Sequence, residues 1–213
     1  MRFQGRLTWL LPVVAAALFG TLLAWRRLGP LDFWWGMSVS VATLVILSWA
    51  SDRSQRSSLL QDWTEGVAKK IGLGLLSGFV LYGVFWAGNA VSRAVLPWAA
   101  EDIGAVYAFR QNASLIRIGL LIVLIIGPGE ELFWRGFLQR RWQSRLGLLP
   151  GYLLAAGVYA VVHAGSGNLM LVASAFVCGL YWGALYVRFR SAILVAVSHT
   201  LWDLLIFIIF PLS

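Results

Sequence analysis

Cysteine, histidine and acidic residues are all scarce in this chain of 213 residues, and each scarcity narrows what the chain can be. Cys178 is the single cysteine, which excludes an intrachain disulfide and any cysteine-rich metal site. It lies in the middle of an apolar run, where it reads as a small buried packing residue. Charged residues make up only 12% of the chain while hydrophobic ones make up 60%, with a mean hydropathy of +0.78. Soluble domains carry roughly 25% charged residues, so this composition excludes one and leaves no room for a separate soluble domain. Nine acidic residues face seventeen basic ones, for a net charge of +8. The basic residues cluster between apolar stretches, where they fix topology and meet anionic headgroups; nucleic-acid binding is not expected. The chain also lacks internal repeats, low-complexity segments and any H-E-x-x-H pairing on one helix.

What the chain has instead is apolar runs close to the ~20 residues that a bilayer core requires. Seven can be drawn: Leu7–Trp25, Phe33–Ala50, Ile71–Val91, Leu115 into the Glu130 region, Leu149–Val162, Leu169–Val187 and Ala192–Phe210. They predict an all-α, polytopic transmembrane helical bundle forming one integral membrane domain over residues 1–213. The fourth run is expected to break at Gly127-Pro128-Gly129. Ser51–Lys70 reads as a polar surface helix, and Ser92–Ser114 as a segment lying along the interface. Gly74 and Gly78 form a G-x-x-x-G suited to helix packing. Trp9, Trp25, Trp34, Trp35, Trp49 and Trp142 sit near span ends, as in interfacial belts. Arg2 and Arg6 ahead of an apolar run resemble a leader, with Ala15-Ala16-Ala17 as a weak cleavage site; the run continues to Trp25, which favours an uncleaved span. Counted by alternating sides, twelve Lys and Arg fall on the N-terminal side and five on the other, which predicts a cytoplasmic N-terminus and an outer C-terminus.

Within these spans lie ionisable groups that cost on the order of 2.5–3.5 kcal/mol each at a helix centre and are therefore functional candidates. Glu130 and Glu131 open the stretch GPGEELFWRGFLQRRW. Glu131 and Arg135 are four apart, share a helix face and can pair; Glu130 points elsewhere and is left free, next to helix N-terminal amides that the Gly-Pro-Gly would expose. Tyr159 stacks under His163, and His199 under Asp203, at the same i, i+4 spacing. If a helical hairpin turns near Gly147, Glu130 precedes the turn by 17 residues and His163 follows it by 16, both roughly 25 Å deep. His199 and Asp203 lie roughly 14–20 Å from the loop at Arg190. Three helices can thus bring Glu130, His163, His199 and Asp203 to one layer. Singly, a Glu-Glu pair is as often a cap and a membrane histidine as often a packing residue; four at matching depth argue for chemistry.

These motifs resemble those of the CAAX protease and bacteriocin-processing (Abi, type II CAAX endopeptidase-like) intramembrane proteases. That family is marked by E-E-x-x-x-R, then F-x-x-x-H, then H-x-x-x-N or H-x-x-x-D, on successive membrane helices. Here they read Glu130-Glu131-Leu132-Phe133-Trp134-Arg135, Tyr159-Ala160-Val161-Val162-His163 and His199-Thr200-Leu201-Trp202-Asp203. The resemblance covers about Leu115 to Phe210, the motif-bearing core helices; the first three spans carry no signature. Tyr159 replaces the commoner Phe. Asp203 stands where some members have Asn, and an ionised Asp cannot donate a hydrogen bond, so it must be protonated or orient His199.

The resemblance implies an intramembrane, glutamate-type endopeptidase of a bacterial inner membrane, cleaving a membrane-associated or lipidated protein or peptide without a cofactor. It implies that Glu130 and His163 activate a water and that His199, helped by Asp203, stabilises the oxyanion; Glu131, Arg135 and Tyr159 would support them. Two other readings stay open. Glu130, His163, His199 and Asp203 are competent zinc ligands, which would make a zinc-dependent protease. A non-catalytic membrane partner-binding or immunity protein, or a small transporter, is the rival from another class.

Overall fold

In a computed structural model the chain is described over residues 2–64, 66–111 and 113–212, with side chains from Thr8 onward except Arg53. Nine helices carry almost all of the described residues: α1 (Arg2–Trp25), α2 (Phe33–Ser51), α3 (Arg53–Thr64), α4 (Val67–Val95), α5 (Ala99–Tyr107), α6 (Leu115–Leu146), α7 (Leu148–Val162), α8 (Leu169–Phe189) and α9 (Ala192–Leu204). Six helical segments are long and apolar enough to span a bilayer, seven if α6 is taken with α5 as one bent span. This is the expected all-α bundle. The one strand pair among the described residues, Arg27–Leu28 with Leu31–Asp32, is a tight antiparallel turn between α1 and α2. It ends on Asp32, whose carboxylate accepts from the Trp34 and Trp35 amides (3.0 and 3.1 Å) and so starts α2.

The Gly-Pro-Gly of α6 does not break the helix, contrary to the sequence expectation. A π-turn at Ile122–Ile126 precedes Pro128, and the Gly127 amide reaches back to the Ile122 carbonyl. The wider turn absorbs the proline, which has no amide to give and would crowd an α-helical carbonyl. The glycines serve packing: a Cβ on Gly127 would strike Thr200 of α9, and one on Gly129 would strike Val41 of α2. α6 therefore lies wedged between α2 and α9, with no exposed N-terminal amides beside Glu130.

Gly74 and Gly78 act as their spacing predicts. A Cβ on either would meet the backbone of α9 at the Leu194 or Ser198 carbonyl (2.8 and 3.0 Å), so α4 lies directly on α9. Ser51–Lys70 contains the expected polar helix, α3, which is tied down at both ends. Buried Asp52, just before it, takes Arg140 and Arg141 of α6 (2.5 and 2.8 Å). Near its far end Asp62 holds Lys70 (2.8 Å) and accepts from the Ile193 amide at the start of α9 (3.0 Å). Burial alone would raise the Asp52 carboxyl. The Ser54 hydroxyl and the two guanidiniums outweigh it and hold its pKa below the ordinary 3.8.

The tryptophans divide. Trp9, Trp25 and Trp35 are exposed at span ends as in a belt, whereas Trp34 and Trp142 are buried. Trp34 donates its indole N–H to the Phe109 carbonyl (2.9 Å) and packs edge-on to Phe207, and Trp142 packs against Trp9 (5.5 Å between rings). Both belong to the core, together with Trp134 and Trp182.

Candidate active site

Three elements deliver the ionisable side chains. Glu130, Glu131 and Arg135 project from α6, where a second π-turn begins at Trp134 and runs to Gln139. Such turns recur at functional sites. Gln55 of α3 donates to the Leu132 carbonyl (2.8 Å) as the chain enters that turn. His163 lies just past α7, on the 3-10 turn His163–Ser166, and not within the helix as its spacing suggested. The turn sits against α1: a Cβ on Gly165 would meet the Gly20 backbone at 2.5–2.9 Å. His199 and Asp203 come from α9.

The Glu131–Arg135 pair forms as predicted, at 2.8 Å and shielded from solvent. Glu131 does more than its spacing revealed: the same Oε1 binds His199 Nδ1 at 2.7 Å. Asp203 Oδ2 lies 3.5 Å from His199 Nε2, too long for a good hydrogen bond. The principal anchor of His199 is thus Glu131, where the sequence pointed to Asp203. Arg135 turns its remaining donors to the Cys178 and Gly179 carbonyls of α8 (3.5 and 3.4 Å), and one turn on Gln139 donates to the Gly183 carbonyl (3.0 Å). With Arg135 inside the bundle, the basic residues on the N-terminal side number eleven against five.

Glu130 is buried as well, yet its Oε2 has no hydrogen-bond partner among the described residues. Buried polar atoms are rarely left so in native proteins, and an orphaned carboxylate oxygen calls for a water or a substrate group. It faces a cavity of about 110 Å³ whose wall also holds Tyr159, His163, His199 and Asp203. All four predicted catalytic residues therefore line one space. His163 Nδ1 lies 2.7 Å from the Tyr159 carbonyl oxygen, which can only accept, so Nδ1 carries the proton and a neutral ring offers Nε2 as an acceptor. Tyr159 itself lies beneath the Arg135 guanidinium (4.8 Å) and edge-on to His163 (4.9 Å). Among the described residues, no three of the His, Cys, Asp and Glu side chains are arranged to hold one metal ion.

Sequence reasoning missed several parts. Trp182 of α8 stacks on the His199 ring with centroids 3.7 Å apart, lies 5.5 Å from the Arg135 guanidinium, and is pinned by its N–H to Ser198 Oγ (3.2 Å). Nothing marks it among twelve tryptophans in the sequence. Cys178 is buried as expected, but its place is the cavity wall. Phe19 of α1, Trp34 of α2 and Val106 of α5 complete that wall, so the spans without motifs also build the site.

One family model matches the stretch of chain that carries these groups. Residues 112–205 are Rce1-like: they match the type II CAAX prenyl endopeptidases of that name. The Rce1-like segment runs from the start of α6 to the end of α9 and includes every ionisable residue of the cavity, though it covers less than half of the chain. The resemblance is to a peptidase. No curated protein and no solved structure matches the chain.

Proposed function

We propose that this protein is an intramembrane endopeptidase in which Glu130 activates water to hydrolyse a peptide bond of a membrane-associated or lipidated protein or peptide. The observation that carries the reading is the unpartnered, buried Glu130 carboxylate facing the cavity shared with His163 and His199. A water in that cavity would donate one hydrogen to Glu130 and the other to His163 Nε2, leaving an oxygen lone pair to attack the carbonyl. Glu130 takes the proton as the tetrahedral intermediate forms and returns it to the leaving nitrogen, the double duty of a general acid–base. His199, protonated on both nitrogens, gives Nδ1–H to Glu131 and has Nε2–H to offer. At 3.5 Å Asp203 engages that hydrogen only weakly, which leaves it available to the developing oxyanion. Arg135 and Trp182 fix Glu131 and the His199 ring, so the donor need not reorganise as charge develops.

The test is a comparison of peptide termini in membranes holding the wild-type protein or Glu130→Gln, with zinc quantified in the purified protein. New termini present only with wild type, formed without bound metal, support the reading. Identical termini in both would return the chain to a partner-binding role, and activity that tracks stoichiometric zinc would make it a metalloprotease. By the basic-residue asymmetry, the Arg140 end of α6 lies in the cytoplasm.

A further inference from the structure

On the far side of α6 and α9 from the catalytic cavity runs a separate groove of about 600 Å³. Leu60 and Trp63 of α3 roof it, Val123 and Pro128 of α6 form one wall, and Ala196 and Leu204 of α9 form its floor. Its lining is almost wholly apolar, and Leu60 and Trp63 stand 68% and 61% exposed although apolar. Along α9 it reaches from Ala192 to Leu204, about 18 Å at 1.5 Å per residue. A transmembrane partner helix would need the full ~30 Å of hydrocarbon; this groove matches one leaflet, about half of that. Arg56 lies one turn before Leu59 and Leu60 on the same face of α3, is exposed, and stacks on Trp49 (5.6 Å). Among the described residues it makes no salt bridge, whereas the carboxylates at either end of α3 are taken up by Arg140, Arg141 and Lys70.

We propose that this groove holds an acyl chain of an anionic glycerophospholipid from the leaflet on the α3 side, with Arg56 receiving its headgroup. The inference does not depend on the peptidase reading. A chain seated there lies against Pro128 and Thr200, on the outer faces of the two helices that carry Glu130, Glu131 and His199. The roof helix is bonded to both of them, through Gln55 to Leu132 and Asp62 to Ile193. The lipid and α3 together brace the helix pair from the side away from substrate.

The test is native mass spectrometry of the full chain in detergent with equimolar dioleoyl phosphatidylglycerol and dioleoyl phosphatidylcholine. Wild type should retain lipid with about a fivefold preference for phosphatidylglycerol, the worth of one interfacial arginine. Arg56→Gln should keep lipid but lose the preference. Ala196→Phe fills the floor and should lower retention of both lipids by at least about tenfold, the scale set by the acyl surface it leaves unburied. Leu60→Gln, at an exposed position that does not threaten folding, should do the same more weakly. Lipid retention equal to wild type in both groove variants would overturn the proposal. So would a wild-type protein that retains none, or a dimer mass that only the groove variants abolish, which would seat a second copy there.

Discussion

Glu130 and Glu131 are adjacent in sequence and both buried, so the same Glu→Gln change at each should separate catalysis from architecture. Glu131 Oε1 accepts from Arg135 at 2.8 Å and from His199 at 2.7 Å. Each bond to a charged group is worth about 1.5–3 kcal/mol against about 0.5–1.5 for a neutral one, so Glu131→Gln should cost about 2–3 kcal/mol over the two. A chain of this length shifts by about 2–4 °C per kcal/mol, which predicts a thermal midpoint about 4–12 °C lower. Glu130 has no such bonds to lose, and removing an uncompensated buried charge is neutral or stabilising. Glu130→Gln should therefore melt at or above the wild-type temperature while turnover falls at least about 100-fold, the lower bound for losing a general base. Thermal unfolding in detergent, monitored by the far-ultraviolet helix signal, reads the first quantity, and release of new peptide termini reads the second. A Glu131→Gln protein that melts like wild type, or equal destabilisation by both changes, would refute the division of roles.

Asp203→Asn should retain activity within about tenfold, since the side chain approaches His199 only at 3.5 Å and an amide can fill that place; inactivity would mean that its charge is required. The Asp52 carboxyl has its pKa held down by Ser54, Arg140 and Arg141 against the effect of burial, so its stabilisation is complete above the ordinary 3.8 and is lost as pH falls through the lower folded-state value. The melting advantage of wild type over Asp52→Asn should accordingly be constant above about pH 4 and vanish in stronger acid. Gly165→Ala would drive a methyl into the Gly20 backbone, which cannot step aside, so both thermal midpoint and turnover should drop through displacement of the His163 turn. Reporter fusions after Arg190 and at the C-terminus should lie on opposite sides of the membrane; the same side for both would remove α9 from the spans.

Apolar run length makes the spans legible, because in hydrocarbon nearly every backbone group must be bonded within its own helix. Helical i, i+4 spacing likewise announces the Glu131–Arg135 pair, since both partners sit on one helix. Cross-helix relations leave no such trace. That Glu131 also holds His199, 68 residues away, depends on how α6 packs on α9. The stack of Trp182 on His199 depends on α8 in the same way. The Gly-Pro-Gly misleads for a local reason: proline and glycine look like breakers in isolation, and only the packing against Val41 and Thr200, with a π-turn upstream, reveals a continuous helix. His163 reaches the expected cavity from a turn rather than a helix, because α7 ends one residue before it.

The π-turn at Trp134–Gln139 gives this helix one surplus residue. An α-helix advances about 100° per residue, so deleting a single residue there would restore the ordinary winding without disturbing Glu130 or Glu131. The surplus residue is what the wider turn takes up, so everything downstream would keep its phase: Gln139 would still face the Gly183 carbonyl, and Arg140 and Arg141 would still face Asp52. Single-residue insertions and deletions are commonly absorbed in loops. Here a one-codon loss between Arg135 and Gln139, inside a membrane span, would spare every residue of the three motifs and still leave the chain's basic end on α3. Length is thus less constrained between Trp134 and Gln139 than elsewhere in the span, where the same loss would swing the downstream end by about 100°, and a substitution scan alone would not detect the difference.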